Sequence, residues 1–184
     1  ANNFTAEAVA PPLRVRALSV AFRGREFCFE PDGVRTIAAP GDVVCEQYEV
    51  LVPTAFTANL SFEVQFPPPD GGLVPVLRPL EDANAQDRFV SQGILTFQGP
   101  EELTIEADAV PPLVRWQFPQ FGNSISFDSV VVFEACAVVL NTPPQLGGIA
   151  ISRGVLRYSG VTATPPLSLS DTAVVKQTLR FPEA

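Results

Sequence analysis

Apolar and polar residues alternate with a period of two through most of the chain, in short runs separated by Pro, Gly, Asn and Asp clusters. A period of two places successive side chains on opposite faces of an extended backbone, so it predicts strands rather than helices. The runs are Leu13–Phe22, Arg25–Glu30, Val34–Ala38, Val43–Val52, Ala58–Phe66, Gly93–Gln98, Leu103–Ala107, Val114–Phe118, Ser124–Leu140, Ile149–Ser159 and Thr172–Phe181. Pro31-Asp32-Gly33 reads as a tight hairpin turn, with Gly supplying the positive φ. A helix is expected only as one or two polar surface turns between Glu81 and Arg88. Pro67-Pro68-Pro69-Asp70-Gly71-Gly72 reads as a long inter-sheet loop, since each flank alone is small for an independent sandwich. These elements predict an all-β, jelly-roll-like β-sandwich over residues 13–184, preceded by an extended N-terminal strand and Pro-Pro elbow over residues 1–12.

Composition narrows the function. The 184 residues include 19 Pro and 12 Gly, above the usual share but short of a disordered chain. There is no His, which excludes every catalytic triad or zinc site that needs imidazole. A net charge of −8, with Lys176 the sole lysine, argues against nucleic acid as a partner. No run approaches the roughly 18 uninterrupted apolar residues of a membrane helix; the densest, Val130–Leu140, is broken by Glu134. An Ala at position 1 and the absence of Met predict a processed precursor and secretion after signal-peptide cleavage, although removal of an initiator Met leaves the same end.

Little else carries chemistry. The acidic pairs Glu101-Glu102, Glu81-Asp82 and Glu106/Asp108 could in principle act as acid and base or bind calcium, but their spacing matches no calcium loop and a solvated surface is expected. Ser124 and Ser126 have no base to activate them. No catalytic, metal or cofactor residue is therefore assigned. Trp116, with Phe118, Phe121 and Phe127, could form a sugar platform, though core packing is the commoner use of such residues. The sequons Asn3-Phe4-Thr5 and Asn59-Leu60-Ser61 offer N-glycosylation at Asn3 and Asn59. Of the three cysteines, Cys28 and Cys45 both lie on polar strand faces and are close in sequence, which predicts a Cys28–Cys45 disulfide with Cys136 a buried free thiol.

The N-terminus is the informative segment. Phe4, Ala6, Ala8 and Ala10 alternate with Asn3, Thr5 and Glu7 before Pro11-Pro12 stops the pattern. Such a strand adds either to its own sheet or to a neighbour's, and the second arrangement gives non-closing, head-to-tail polymers. Asn2-Asn3-Phe4-Thr5-Ala6, leading into the strand at Leu13, and Ala39-Pro40-Gly41-Asp42, followed by Val43–Val52, resemble the TasA/camelysin biofilm-fibre family and, within it, the archaeal bundling pilus subunits. Glu7 stands where that family usually has Gly. The resemblance implies a secreted, non-enzymatic jelly-roll subunit whose N-terminal segment, here Asn3, Phe4, Thr5, Ala6, Ala8 and Ala10, fills a groove in the next copy. Its partners would be copies of itself, neighbouring filaments and cell surfaces. The alternative expectation is a secreted carbohydrate-binding β-sandwich using Trp116.

Overall fold

In the computed structural model, the residues described are 17–28, 37–68, 74–80, 88–92, 95–98, 102–123, 127–141, 148–162 and 168–181. Among them there is no helix, and eleven strands follow one another: β1 (Ser19–Cys28), β2 (Val43–Val52), β3 (Phe56–Gln65), β4 (Leu77–Pro79), β5 (Arg88–Gln92), β6 (Leu95–Gln98), β7 (Glu102–Glu106), β8 (Leu113–Asn123), β9 (Ser129–Val139), β10 (Ile149–Thr162) and β11 (Ser168–Arg180). The N-terminal strand, the Pro11-Pro12 elbow and the Pro31-Asp32-Gly33 turn lie outside the described residues, as do the polar turns expected between Glu81 and Arg88 except for Arg88 itself, which opens strand β5.

The strands form two antiparallel sheets, as the alternation predicts. The first runs β1-β2-β9, and β4 and β5 share the far side of β9, against Ala137–Val139 and Val130–Glu134 respectively. The second runs β11-β10-β3-β8, and β6 and β7 likewise share the far side of β8. β2 and β3 are consecutive in the chain yet belong to opposite sheets, so the connection at Thr54 and Ala55 turns a corner of the sandwich; Asp128 Oδ1 accepts the Thr54 N–H at 3.2 Å there. Ahead of β2, Ala39-Pro40-Gly41-Asp42 closes a turn in which Asp42 N–H donates to the Ala39 carbonyl at 3.0 Å and Gly41 takes φ +88°, a conformation that favours Gly after Pro.

The inner faces are mostly apolar, with Glu46 of β2 the buried charged exception taken up below. Val44, Tyr48, Val50 and Val52 of β2 meet Phe62, Val64 and Leu60 of β3, with Phe133 of β9 and Trp116 of β8 between them, all 3% exposed or less. The Phe62 and Phe133 rings stack across the sandwich at 4.6 Å, and Trp116 lies 5.2 Å from Phe133. Trp116 is therefore core and cannot serve as a sugar platform; neither can Phe118 or Phe121, both buried.

Two glycines of β10 permit close approaches, Gly154 to the opposite sheet and Gly160 to β3, its neighbour in the same sheet. A Cβ on Gly154 would lie 2.6 Å from Cδ1 of Tyr48, and one on Gly160 would lie 2.6 Å from the Thr57 carbonyl oxygen and 2.7 Å from Cβ of Ala58. A ladder carbonyl cannot move aside as a side-chain tip can. We expect Gly160→Ala to cost about 2–3 kcal/mol by overpacking, read by chemical denaturation with the single Trp as reporter. A loss below about 0.5 kcal/mol, the level of an ordinary surface substitution, would contradict that account.

The structure corrects the cysteine pairing. Cys45 of β2 is bonded to Cys136 of β9, directly opposite in the ladder, with Cα atoms 4.0 Å apart. Cys28 is instead opposite Val43, and Glu26 is the residue facing Cys45. Cys136 is buried, as predicted, but it shares the outer face of its strand with Glu134 and is not free. Cys45 lies on the outer face of its strand as its alternation predicts, but its partner is Cys136 of β9.

Candidate functional site

The candidate site is the outer face of the second sheet, where the strand register brings polar side chains into rows. Ser61 of β3 is opposite Gln117 of β8 on one side and Arg157 of β10 on the other, and Arg157 is in turn opposite Thr172 of β11. One row further, Asn59 is opposite Ser159. On the β8 side the ladder slips: Ala58 pairs with Phe121 and Leu60 with Phe118, so that Pro119 and Gln120 together face Asn59. A bulge of this kind widens the pleat locally, and it also allows Pro119, which has no N–H, to sit in an interior strand. The outcome is a groove of about 510 Å³ with small side chains on its floor, Pro119 and Gln117 on one wall, and Arg157, Asp171 and Thr172 on the other.

The groove carries one charge of each sign. Nη1 of Arg157 contacts Glu63 Oε1 at 2.7 Å, and Asp171 Oδ1 accepts the Thr172 N–H at 2.7 Å. Tyr158, beneath the groove, is held above its usual phenol range by burial and then by the Asp171 charge, so it stays a neutral hydroxyl. Hydroxyls, amides and one charge of each sign can hydrogen-bond a neutral, polyhydroxylated molecule.

Glu63, at the neighbouring row, is only 5% exposed and accepts from Arg115 Nε at 2.9 Å, from Gln65 Nε2 at 2.8 Å and from Arg157. Burial pulls its carboxyl pKa up, but the donors from Arg157, Gln65 and Arg115 outweigh that and hold it below its ordinary 4.5. The folded state thus keeps Glu63 ionised where the unfolded chain takes up a proton. Its contribution is complete above about pH 4.5 and is lost as pH falls through the lower folded-state value. We expect Glu63→Gln to lose about 1–2 kcal/mol at neutral pH and the gap from the native chain to close on acidification; denaturant titrations at several pH values check this, and a gap that does not vary with pH contradicts it.

The other predicted residues are dispersed. Glu106 bonds Arg115 at 3.3 Å, while Asp108 is on the surface with Arg78 at 3.4 Å, so this acidic pair is drawn to separate arginines rather than to one site. Among the described residues no cluster of three or more His, Cys, Asp or Glu side chains could hold a metal ion. Asn59 is exposed in the middle of β3, whereas Asn3, Phe4, Thr5, Ala6, Ala8 and Ala10 lie outside the described residues. Sequence reading missed Gln117, Arg157 and Thr172 as neighbours of Asn59, because only the ladder brings them together. It also missed the buried Glu46, which Arg25 holds from β1; the signal was available, since Glu46 falls in the same inward phase as Val44 and Tyr48.

No helix among the described residues is long and apolar enough to cross a membrane. No family model matches the chain, and no curated protein does. Among solved structures, the pilus backbone protein RrgB of Streptococcus pneumoniae is similar over 79% of this chain at 13% identity, with a TM-score of 0.46; the chain spans about half (53%) of that protein's length. A family 123 glycoside hydrolase from Clostridium perfringens is similar over 91% of this chain at 13% identity, with a TM-score of 0.37 and 28% of its own length covered. Likeness at this level is one of strand-rich shape, and no residue role passes from either protein to this chain.

Proposed function

We propose that the chain is a non-enzymatic structural subunit of an extracellular filament, polymerising head-to-tail by donation of the segment Asn3–Ala10 into the sandwich of the next copy. The observation that supports this reading most is the side of the sandwich where β1 and β11 end their sheets. Val20 and Phe22 on β1 and Ala173 and Val175 on β11 point into the core yet are only half-buried, unlike their counterparts on central strands. Arg25 takes the Thr178 carbonyl and the Ala38 N–H takes that of Arg180, so one end of the β11 edge is occupied. Toward Val174 and Lys176 no strand among the described residues covers the edge. An extended segment can supply the backbone hydrogen bonds that such an edge leaves open.

The cross-strand disulfide supports an oxidising compartment outside the cytosol, and the resemblance of the N-terminal pattern and the Ala39-Pro40-Gly41-Asp42 turn to the TasA/camelysin and archaeal bundling-pilus proteins supports a fibre. Deletion of residues 1–10 is expected to abolish filaments in electron micrographs and to leave monomers in sedimentation. Filaments from the truncated chain would end the donor-strand reading.

A further inference from the structure

We propose that Asn59 carries an N-linked oligosaccharide and that the groove over the second sheet is the bed in which its first sugars lie. Three separate observations converge on this residue. It heads a sequon, Asn59-Leu60-Ser61, whose Asn and Ser project from the same outer face because strand side chains alternate. It is exposed in the middle of a strand paired on both sides, a position where Asn is disfavoured by propensity and nothing in the packing calls for it. The bulge at Pro119 and Gln120 clears space beside it, and the resulting volume of about 510 Å³ falls within the range of small-molecule sites.

The chemistry of the walls indicates the ligand class. Gln117, Ser61, Ser159 and Thr172 present amide and hydroxyl groups, and the two charges, Arg157 and Asp171, are of opposite sign. Phosphate or another strong anion would need an excess of cations, and an apolar ligand would leave these polar groups unpaired. Neutral sugars, with hydroxyls that both donate and accept, satisfy them. In the attachment, Nδ2 of Asn59 bonds to C1 of the reducing-end sugar of a lipid-linked oligosaccharide. The bond from C1 to the lipid phosphate oxygen breaks, that oxygen leaves with the electron pair, and one amide proton goes to the transferase base; nothing is oxidised or reduced.

The inference rests on the export in the functional reading above, not on polymerisation, and the two fail separately: filaments are seen by microscopy, occupancy by mass. The full chain, made in an N-glycosylating host, is digested and its glycopeptides weighed. Expected is a series of hexose and N-acetylhexosamine increments on Asn59, lost in Ser61→Ala and retained in Ser61→Thr. An unmodified Asn59 overturns the assignment, whether or not Asn3 is modified. On the folded glycoprotein, Gln117→Ala is expected to leave occupancy unchanged while enzymatic release of the glycan becomes several-fold faster; an unchanged release rate overturns the bed. Chain from a host without N-glycosylation is applied to an oligosaccharide array: binding there with Asn59 unmodified in the first host reassigns the groove to a free oligosaccharide.

Discussion

Replacing Cys45 and Cys136 with Ala is expected to lower stability by about 4–5 kcal/mol, a large share of the roughly 5–15 kcal/mol typical of a domain. The two cysteines are 91 residues apart in sequence, so the bond closes nearly half the chain and removes a large part of the unfolded ensemble's freedom. It also joins β2 and β9, the two interior strands of the first sheet, at a directly opposed pair. Guanidinium unfolding of the oxidised protein and the double variant measures the difference. A loss under about 1 kcal/mol would mean that the β2–β9 ladder is already constrained in the unfolded chain. The pairing itself is checked by non-reducing peptide mapping, where a Cys45–Cys136 peptide is expected and a Cys28–Cys45 peptide would restore the pairing that local sequence favours.

The erroneous pairing shows how far alternation reaches. Period two assigns faces within one strand, and it did so correctly for Val43–Val52, where the predicted and observed bounds coincide. It does not say which strands lie side by side. Cys28 and Cys45 are close in the chain and on adjacent strands, but Cys45 has a second neighbour, β9, contributed from far along the sequence. The groove was illegible for the same reason: Asn59 could be marked as a sequon, while Gln117, Arg157 and Thr172 become its neighbours only through three ladders.

Where alternation broke, bulges were the cause. Leu13–Phe22 and Arg25–Glu30 read as two strands, yet Ser19–Cys28 is one, with the register shifting between Phe22 and Gly24. Val20 and Phe22 oppose the inward Val50 and Tyr48, and beyond the shift it is Arg25 and Phe27 that oppose the inward Glu46 and Val44. A Gly inside a strand pattern with a change of phase on either side is the sequence mark of that bulge. Likewise the alternation marks a strand only over Val114–Phe118, whereas β8 continues past Pro119 to Asn123 through its own bulge. Leu77–Pro79 and Arg88–Gln92 were missed as strands; the first has only three residues, too few to show a period.

The clasp between the sheets leads to the second large effect. Glu46 is fully buried on the inner face of β2, where an ionised carboxylate is tolerable only if its lone pairs are taken. Arg25 supplies that from β1: Nε donates to Oε1 at 3.0 Å and Nη2 donates to the same oxygen, while Nη1 reaches across to the Thr178 carbonyl of β11 at 2.9 Å. The Tyr48 hydroxyl donates to the other oxygen, Oε2, at 2.9 Å. Burial, reinforced by the Glu46 charge, pushes the Tyr48 pKa far up, so that hydroxyl keeps its proton throughout the working range. Arg25→Met therefore strands a desolvated carboxylate with one donor left, and is expected to cost about 3–5 kcal/mol. The attraction is nevertheless offset by the desolvation of both ions, so replacing the pair together should be far milder. Arg25→Met with Glu46→Leu is expected to recover most of the loss, and a double-mutant cycle in denaturant measures the coupling. Two single losses that simply add would show that the groups act independently and that Glu46 is stabilised by something other than Arg25. Strong coupling would instead show that Arg25 is the group that makes the buried Glu46 tolerable on the inner face of β2.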